Sequence, residues 1–405
     1  MHSRQFMGTC KRFSILFVLC LVHALHKTMS KKTLDHVNYD SLDSAKNAFI
    51  EASKKTANFA KKYGFVPGKV FGSSANVFEL DLKPFLKKKS KKLHITLLPE
   101  GLGTADDARP GNLSEKESYK FWYNIGIKTV GVTTNDAASS GMQTILISLY
   151  LPSASPEIVF NKNFMSGFLD GFVSGCKEVG CVYFSGETPQ LKNKIYPDKL
   201  DIAGALFGLT PPGTEPIDGS KLSAGNYMVF IPSTGPDANG FTSLRQLAIE
   251  LPDGYRTKLP NGQEYWEAIN NPTLLLTPLI QAILKAGIKP SNVEPITGHG
   301  WQKIMRSSKP LRYVVEEMLP VPEIFKFIQK QKNTTSEEMI KIFNYGLGFV
   351  IYTENKKDAQ NIVKVLKSKK IKAIIGGYVE KAEQREVFIK PLKLTLNSNS
   401  FMIKQ

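Results

Sequence analysis

The chain is organised around residues 130–188, which begin with Val130-Gly131-Val132-Thr133-Thr134-Asn135-Asp136 and end with Cys181-Val182-Tyr183-Phe184-Ser185-Gly186-Glu187-Thr188. The first segment is a β-branched run that ends on an amide and a carboxylate. The second is an apolar run that ends on a small-residue turn and another carboxylate. Both patterns predict strands. Two acidic strand ends beside glycine turns indicate a site for Mg²⁺ and phosphate.

Length and composition predict two domains. The chain has 405 residues, of which 42% are hydrophobic and 22% charged, so it is globular and longer than one ordinary core needs. The best linker candidate is Thr210-Pro211-Pro212-Gly213-Thr214-Glu215-Pro216. We therefore predict an N-terminal extension over 1–28, a first domain over 29–212, a second domain over 213–390 and a C-terminal tail over 391–405.

The net charge of +17 includes a lysine run, Lys87-Lys88-Lys89 with Lys91 and Lys92. Such a run is either a solvated loop or a nucleic-acid patch. Aromatic residues do not interleave with these lysines and no nucleic-acid motif accompanies them, which favours the solvated loop. We predict a small-molecule substrate and no nucleic acid.

The N-terminus leaves three interpretations open. Lys11-Arg12 precede the apolar run 13–22, which is signal-like but short for a membrane span. We favour an extension without a folded role over an export signal or a membrane tether. The four cysteines, Cys10, Cys20, Cys176 and Cys181, fit neither a metal knuckle nor a disulfide framework, which predicts a reducing, cytoplasmic compartment. We interpret Cys176 and Cys181 as packed thiols.

Strands and helices alternate in both halves, with several strands in succession, which predicts an α+β (α/β) fold. Strands are predicted over 93–98 and, last in the chain, over 371–375. A phenylalanine stripe over 164–176 predicts a helix that faces the core. Turns rich in glycine, serine and threonine recur at 99–104, 185–188, 233–240 and 296–300. Such turns can cradle phosphate, although one alone is more often a surface turn.

Taken in order, these elements resemble the phosphoribosylformylglycinamidine cyclo-ligase (aminoimidazole ribonucleotide synthetase) family, from about Tyr39 to about Gly377. The matching segments are Asn135-Asp136 with Gly141, Gly186-Glu187-Thr188, Asp201-Ile202-Ala203-Gly204, Asp218-Gly219-Ser220, Ser233 to Gly240, Ile296-Thr297-Gly298-His299-Gly300, and Phe343-Asn344-Tyr345-Gly346-Leu347-Gly348. The last two favour the cyclo-ligase over its relatives in selenophosphate, thiamine phosphate and hydrogenase-maturation chemistry.

The resemblance implies an N-terminal α/β domain whose strands help to close a dimer barrel, and a C-terminal α/β domain that completes the site. It also implies a homodimer that uses ATP and Mg²⁺ to convert formylglycinamidine ribonucleotide to aminoimidazole ribonucleotide. The implied roles are metal binding by Glu100 and Asp136, catalysis by Asp136, Glu187 and Asn239, and nucleotide binding by Gly101, Gly103, Thr104, Asn135, Gly186, Thr188, Gly240, Gly298 and Asn344. His299 is interpreted as tolerated bulk.

Several departures from the family pattern leave alternatives open. The family has Thr-Asp-Gly-Val-Gly-Thr-Lys where this chain has 99–105, so Ala105 replaces a lysine and Arg109 is a candidate substitute for its charge. The family's His-Ser-Asn-Gly is here Asp237-Ala238-Asn239-Gly240. This pattern suits a diverged enzyme or a nucleotide-binding relative that has lost turnover. Asp136 has a second interpretation, as the N-cap of a short helix over 137–142.

Overall fold

A computed structural model describes residues 39–67, 77–88 and 92–397. From Asp43 onward the described residues form one compact unit. The predictions for 1–28, for Cys10 and Cys20, for the lysines at 89 and 91 and for 398–405 lie outside the described residues. The division into domains at 212 and 213 stays a prediction.

Thirteen strands form two mixed sheets and one short ladder within the described ranges. The strands are β1 (Phe65–Pro67), β2 (Phe78–Leu80), β3 (Ile95–Gly101), β4 (Gln143–Tyr150), β5 (Val182–Glu187), β6 (Ala203–Leu209), β7 (Tyr227–Pro232), β8 (Asn292–Pro295), β9 (Leu311–Val315), β10 (Leu347–Thr353), β11 (Ile374–Lys381), β12 (Glu386–Ile389) and β13 (Leu394–Asn397). The ladder pairs β1 with β2, and the sheets have the orders β3-β6-β4-β5 and β13-β12-β9-β11-β7-β10-β8.

Helices cover these sheets, and the mixed architecture confirms the predicted α+β class. They are α1 (Tyr39–Thr56), α2 (Lys83–Lys87), α3 (Glu115–Ser139), α4 (Pro156–Phe160), α5 (Lys162–Val179), α6 (Phe241–Glu250), α7 (Tyr265–Ile269), α8 (Thr277–Lys285), α9 (Glu323–Lys332), α10 (Ser336–Ile342) and α11 (Lys356–Ser368). None of the helices in the described ranges is long and apolar enough to cross a membrane.

The predicted strand at 130–136 is wrong, because these residues lie inside helix α3. The helix begins with a capping box in which Ser114 and Glu117 bond each other's backbone N–H groups. The hydroxyls of Thr133 and Thr134 each donate to a carbonyl oxygen one turn earlier, at 2.8 Å. Most of the helix is buried, so packing overrides the β preference of its valines and threonines. Asp136 is therefore in the last turns of a helix and is not an N-cap.

Helix α5 packs closely along α3. Its phenylalanines Phe164, Phe168 and Phe172 are buried, which confirms the core-facing stripe. Glycines make the close approach between the helices. A Cβ at Gly171 would lie 2.0 Å from the Tyr123 carbonyl oxygen. Cys176 and Cys181, at the end of this helix, are buried free thiols, as predicted.

Helix α3 also packs on the four-stranded sheet and positions the cleft described below. Side chains of β3 alternate between the two faces, so Glu100 lies on the half-buried face with Leu98, which packs against the cluster formed by Ala137, Met142 and Leu206. Gly204 of β6 pairs with Glu100, and a Cβ at Gly204 would lie 2.7 Å from the Thr133 hydroxyl. The missing side chain allows α3 to lie against the sheet beside Glu100.

The C-terminal segment extends the seven-stranded sheet. Beyond the predicted last strand at 371–375, β12 pairs with β9 in parallel and β13 pairs with β12 in antiparallel orientation. The observed strand β11 begins at Ile374 and is longer than predicted. Residues 394–397, which the sequence analysis placed in a C-terminal tail, thus belong to the sheet.

Candidate active site

A cleft of about 160 Å³ lies between the C-terminal turns of α3 and the ends of β3, β7 and β8. Its lining comprises Glu100, Gly101, Gly131, Val132, Asn135, Asp136, Asp237, Ala238, Asn239, Thr273, Pro295, Ile296, Thr297, Gly348 and Phe349. The structure therefore brings together Glu100, Gly101, Asn135, Asp136 and Asn239 of the predicted site residues. Pockets for whole drug-sized ligands hold about 300–1,000 Å³, which is more than the volume of this cleft. The cleft therefore suits the reacting groups of a ligand.

Three acidic residues line this cleft, and two of them are the predicted metal ligands, Glu100 from the end of β3 and Asp136 from α3. Burial raises the pKa of Glu100, and the negative charge of Asp136 raises it further. Mg²⁺ bound with phosphate typically takes one or two carboxylates and completes its shell with phosphate oxygens and water. The pair fits such an ion, although no cluster of three or more acidic, histidine or cysteine side chains arranged for a metal occurs in the described part of the chain.

Lys303 is a cation bonded to the wall of this cleft, although it is not one of the lining residues, and the sequence analysis did not identify it. It lies on a 3₁₀ turn over Gly300–Met305, and its ammonium donates to the hydroxyl of Thr297 in the cleft wall. Burial lowers its pKa, as does Arg306, while Asp136, Glu294 and Glu100 oppose that shift. The available signal was a lysine one turn beyond the glycine turn at 298–300, but the chain is rich in lysine.

Arg109 does not replace the missing motif lysine at this cleft. Its guanidinium lies over the rings of Phe121 and Trp122, 5.2 and 4.7 Å from their centroids, and donates to the Asp106 carbonyl oxygen. It is not among the residues that line the cleft. The aromatic contacts and that hydrogen bond engage Arg109 in the packing around α3.

The amide of Asn135 connects α3 to the segment before α8. Its Nδ2 donates to the Leu274 carbonyl oxygen and its Oδ1 accepts from the Leu276 N–H, both at 2.9 Å. Asn344 has an equivalent bridging role, because its Nδ2 donates to Gly235 O at 2.8 Å and its Oδ1 accepts from Ser233 Oγ at 2.9 Å. Both amides are engaged by the fold, and their nucleotide-binding roles stay predictions.

Other predicted residues do not line the cleft, and their roles also stay predictions. They are Gly103, Thr104, Gly186, Glu187, Thr188, Gly240, Gly298 and Asn344. Glu187 ends β5, at the edge of the sheet opposite β3. Three strand spacings separate these edges, or about 14 Å.

Gly298 lies close to the cleft, since a Cβ there would be 3.8 Å from Asn239 Oδ1. Gly240, at φ 74°, faces Phe343, which a Cβ would approach to 2.3 Å.

Glu294 lies buried on β8, next in the chain to Pro295 of the cleft lining. Its Oε1 accepts from Asn292 Nδ2 at 2.9 Å, and Arg306 Nη1 is 4.0 Å from its Oε2. Burial raises the pKa of Glu294 to about 7. The folded protein therefore holds this proton more tightly than the unfolded chain does, and stability falls as the pH rises from about 4.5 through 7.

Substituting Glu294→Gln is expected to stabilise the protein at pH 8 by about 3 kcal/mol, because the neutral amide avoids the cost of ionisation. The gain should disappear below about pH 4.5, where the carboxyl is protonated in both states. Urea unfolding between pH 4 and 8 measures this difference. The exposed Glu383→Gln is the control and should show no such trend. Parallel pH profiles for wild type and Glu294→Gln would contradict the expectation.

Comparison with known proteins relates the chain to AIR synthase-related enzymes. Residues 114–210 match the family described as AIR synthase related protein, N-terminal domain. The chain resembles this family over that segment. It is 26% identical over 333 residues to the phosphoribosylformylglycinamidine cyclo-ligase of Methanococcus vannielii. The aligned region covers 82% of this chain and 88% of the relative.

Solved structures show the same fold. The hydrogenase maturation protein HypE of E. coli superposes with a TM-score of 0.56 at 17% identity, covering 87% of this chain and 95% of HypE. A HypE solved in complex with ATP superposes with a TM-score of 0.56 at 15% identity, covering 84% of this chain and 91% of that protein. At these identities the likeness establishes the AIR synthase-like fold.

Proposed function

We propose that this protein uses ATP to close the imidazole ring of aminoimidazole ribonucleotide from formylglycinamidine ribonucleotide in purine biosynthesis. The observation that carries the proposal is that Glu100 and Asp136, far apart in sequence, present carboxylates to one cleft. The similarity to cyclo-ligases over most of the chain supports this reaction. A cytoplasmic location and the absence of a nucleic-acid partner stay predictions.

The reaction needs an activated oxygen. An amide oxygen is a poor leaving group until the terminal phosphoryl group of ATP is transferred to it, with release of ADP. The amidine nitrogen then bonds to the carbon of that amide. The bond between this carbon and the phosphorylated oxygen breaks, and phosphate and a proton leave as the ring closes. Catalysis of such a phosphoryl transfer is mainly positioning and charge stabilisation.

The cleft offers groups for both tasks. Glu100 and Asp136 would hold Mg²⁺, which when bound offsets the charge of the triphosphate. Lys303, bonded to Thr297 in the cleft wall, would offer an ammonium group to a phosphate oxygen, whereas Ala105 has none to offer. The space beside Gly101 is open, with nothing within 4 Å of a Cβ built there, so a ligand can approach this backbone. Asn239 faces the same space from the loop after β7.

The homodimer belongs to this proposal. The face of the four-stranded sheet opposite α3 leaves large apolar side chains exposed, with Ile95 at 59%, Leu97 at 76% and Tyr150 at 44%. An exposed apolar sheet face of this kind is typical of a subunit interface. Sedimentation equilibrium of the full chain tests it, and a monomer at micromolar concentration would contradict it.

The test of the function is a measurement of ADP and phosphate release by the purified full chain. We expect release that depends on both formylglycinamidine ribonucleotide and Mg²⁺, with aminoimidazole ribonucleotide as the product. A folded protein that binds ATP but releases no ADP with this substrate would refute the proposal.

Substituting Lys303→Met is expected to weaken ATP binding in the presence of Mg²⁺ by about 10- to 100-fold. This factor corresponds to the free energy of one hydrogen bond to a charged group. Binding of Mg²⁺ alone should become tighter, because the lysine repels a cation near the same carboxylates. Calorimetry measures both, with the exposed Lys289→Met as the control. Equal changes in the two affinities, or none, would contradict the role of Lys303.

A second candidate function is nucleotide binding without turnover. The observation that favours it is the loss of two family residues, since Ala105 stands for a lysine and Asp237 for a histidine. The release assay separates this candidate from the enzyme, because ATP would bind without substrate-dependent formation of ADP.

A further inference from the structure

Two cations lie side by side next to the cleft wall, on the 3₁₀ turn over Gly300–Met305. The N–H of Arg306 donates to the Lys303 carbonyl oxygen at 3.1 Å, which is the hydrogen bond that defines such a turn. Side chains three residues apart on a 3₁₀ turn lie above one another, so Lys303 and Arg306 project to the same side. Burial lowers the pKa of Lys303, and the positive charge of Arg306 lowers it further, as expected for neighbouring cations.

Neither cation has a carboxylate within hydrogen-bond distance among the described residues. The ammonium of Lys303 donates to the neutral hydroxyl of Thr297. The guanidinium of Arg306 donates no hydrogen bond within the described part of the chain, and its Nη1 lies 4.0 Å from Glu294 Oε2. Two adjacent positive charges repel each other, and an anion that contacts both removes this repulsion.

A ligand can reach both side chains from the cleft or from solvent. The side chain of Arg306 is 42% exposed, whereas that of Glu294 is 9% exposed. Glu294 therefore holds one side of the guanidinium from the protein interior and leaves its other N–H donors available. Lys303 is partly buried, and its partner Thr297 lines the cleft. A guanidinium can bind two oxygens of one phosphate group, and an ammonium beside it can bind a third.

We propose that Lys303 and Arg306 together form a subsite for one phosphate group at the rim of the cleft. This inference rests on the proposed function, whose ligands carry two kinds of phosphate, the triphosphate of ATP and the phosphate monoester of the ribonucleotide. The cleft of about 160 Å³ has room for reacting groups only, so other parts of the ligands must lie at its rim. Mg²⁺ bound by Glu100 and Asp136 would offset the negative charges that now act on Lys303, which leaves both cations to the phosphate.

The experiment compares each phosphorylated ligand with its form that lacks phosphate, by calorimetry on the full chain. The two pairs are ATP with Mg²⁺ against adenosine, and formylglycinamidine ribonucleotide against its dephosphorylated nucleoside. Arg306→Gln is expected to weaken binding of ATP by about 10-fold and to leave adenosine unchanged, and Lys303→Met should weaken binding of the same ligand. Arg306→Lys keeps the charge without the planar fork, so it should recover part of the affinity.

The matched control is Arg312→Gln on β9. It removes the same charge from an arginine of similar exposure, 37%, which lies 3.0 Å from a carboxylate oxygen of Glu386. Three strands separate β9 from β8 in the sheet, so Arg312 is distant from the cleft. This control should leave all four affinities unchanged. A loss found only in the Arg306 variant is then not an effect of lower net charge on anion binding.

The outcomes separate this subsite from the proposed function. If both Arg306→Gln and Lys303→Met weaken binding of the ribonucleotide and not of ATP, the subsite stands and belongs to the phosphate of the substrate. If Arg306→Gln binds all four ligands as wild type does, or if the two variants affect different ligands, the subsite is overturned. Turnover by wild type would leave the function standing in that case. If wild type binds neither ATP nor the ribonucleotide, both proposals fail.

Discussion

Substituting Asp136→Asn is expected to reduce the substrate-dependent release of ADP by about 10³-fold, or about 4 kcal/mol in the activation free energy. The amide has the same shape but lacks the charge that would bind Mg²⁺ together with Glu100. The Asp136 side chain makes no hydrogen bond to the described residues, and its main-chain carbonyl oxygen accepts from Ser139 Oγ at 2.7 Å. The fold should therefore tolerate the change, and thermal unfolding should remain within about 1 kcal/mol of wild type.

Initial rates of ADP release at several Mg²⁺ concentrations test this expectation. The matched control is Asp170→Asn on helix α5. The exposed carboxylate of Asp170 accepts a hydrogen bond from Tyr119 Oη at 3.0 Å, and Asp170 is distant in sequence from the cleft residues. This control should retain the activity of wild type. If Asp136→Asn keeps more than a tenth of the rate, or if the loss equals that of the control, Asp136 does not bind the metal that the reaction needs.

Substituting Gly171→Ala is expected to destabilise the protein by about 3 kcal/mol or more. The added Cβ would lie 2.0 Å from the carbonyl oxygen of Tyr123 and 2.7 Å from its carbonyl carbon. These are backbone atoms of α3, so relief requires that the two helices separate. Separation would also disturb the position of α3 against the sheet, and the distance between Glu100 and Asp136 with it.

Urea unfolding monitored by circular dichroism measures the loss. Gly111→Ala is the control, because a Cβ at Gly111 has no atom within 4 Å and the substitution should change stability by less than about 1 kcal/mol. A Gly171→Ala protein as stable as the control would show that the helices can separate without cost. We expect instead that its activity falls along with its stability.

Local patterns were sufficient for much of the fold. The stripe of phenylalanines predicted α5, and the α+β class followed from the alternation of strands and helices. The prediction that Glu100 and Asp136 share a site came from the family resemblance, and the cleft contains both residues. Each of these features depends on short-range periodicity or on a motif that the family shares.

The assignment at 130–136 was wrong for a physical reason. Valines and threonines favour strands locally, but here they lie on a helix that is buried against α5 and the four-stranded sheet. Burial on both sides outweighs a preference of a few tenths of a kcal/mol per residue. The glycines at 126 and 171, which permit this contact, are separated by more than forty residues in the sequence.

By itself the sequence determined the class of the fold, the acidic turn at the end of β3 and the departures from the family at Ala105 and Asp237. Only the tertiary structure decided that Asp136 projects from a helix, that Lys303 bonds Thr297 in the cleft wall, and that Asp237 lines the same cleft as Glu100 and Asp136. Propensity and turn chemistry act over a few residues, whereas these contacts join segments more than a hundred residues apart and form only when the sheets and α3 pack together.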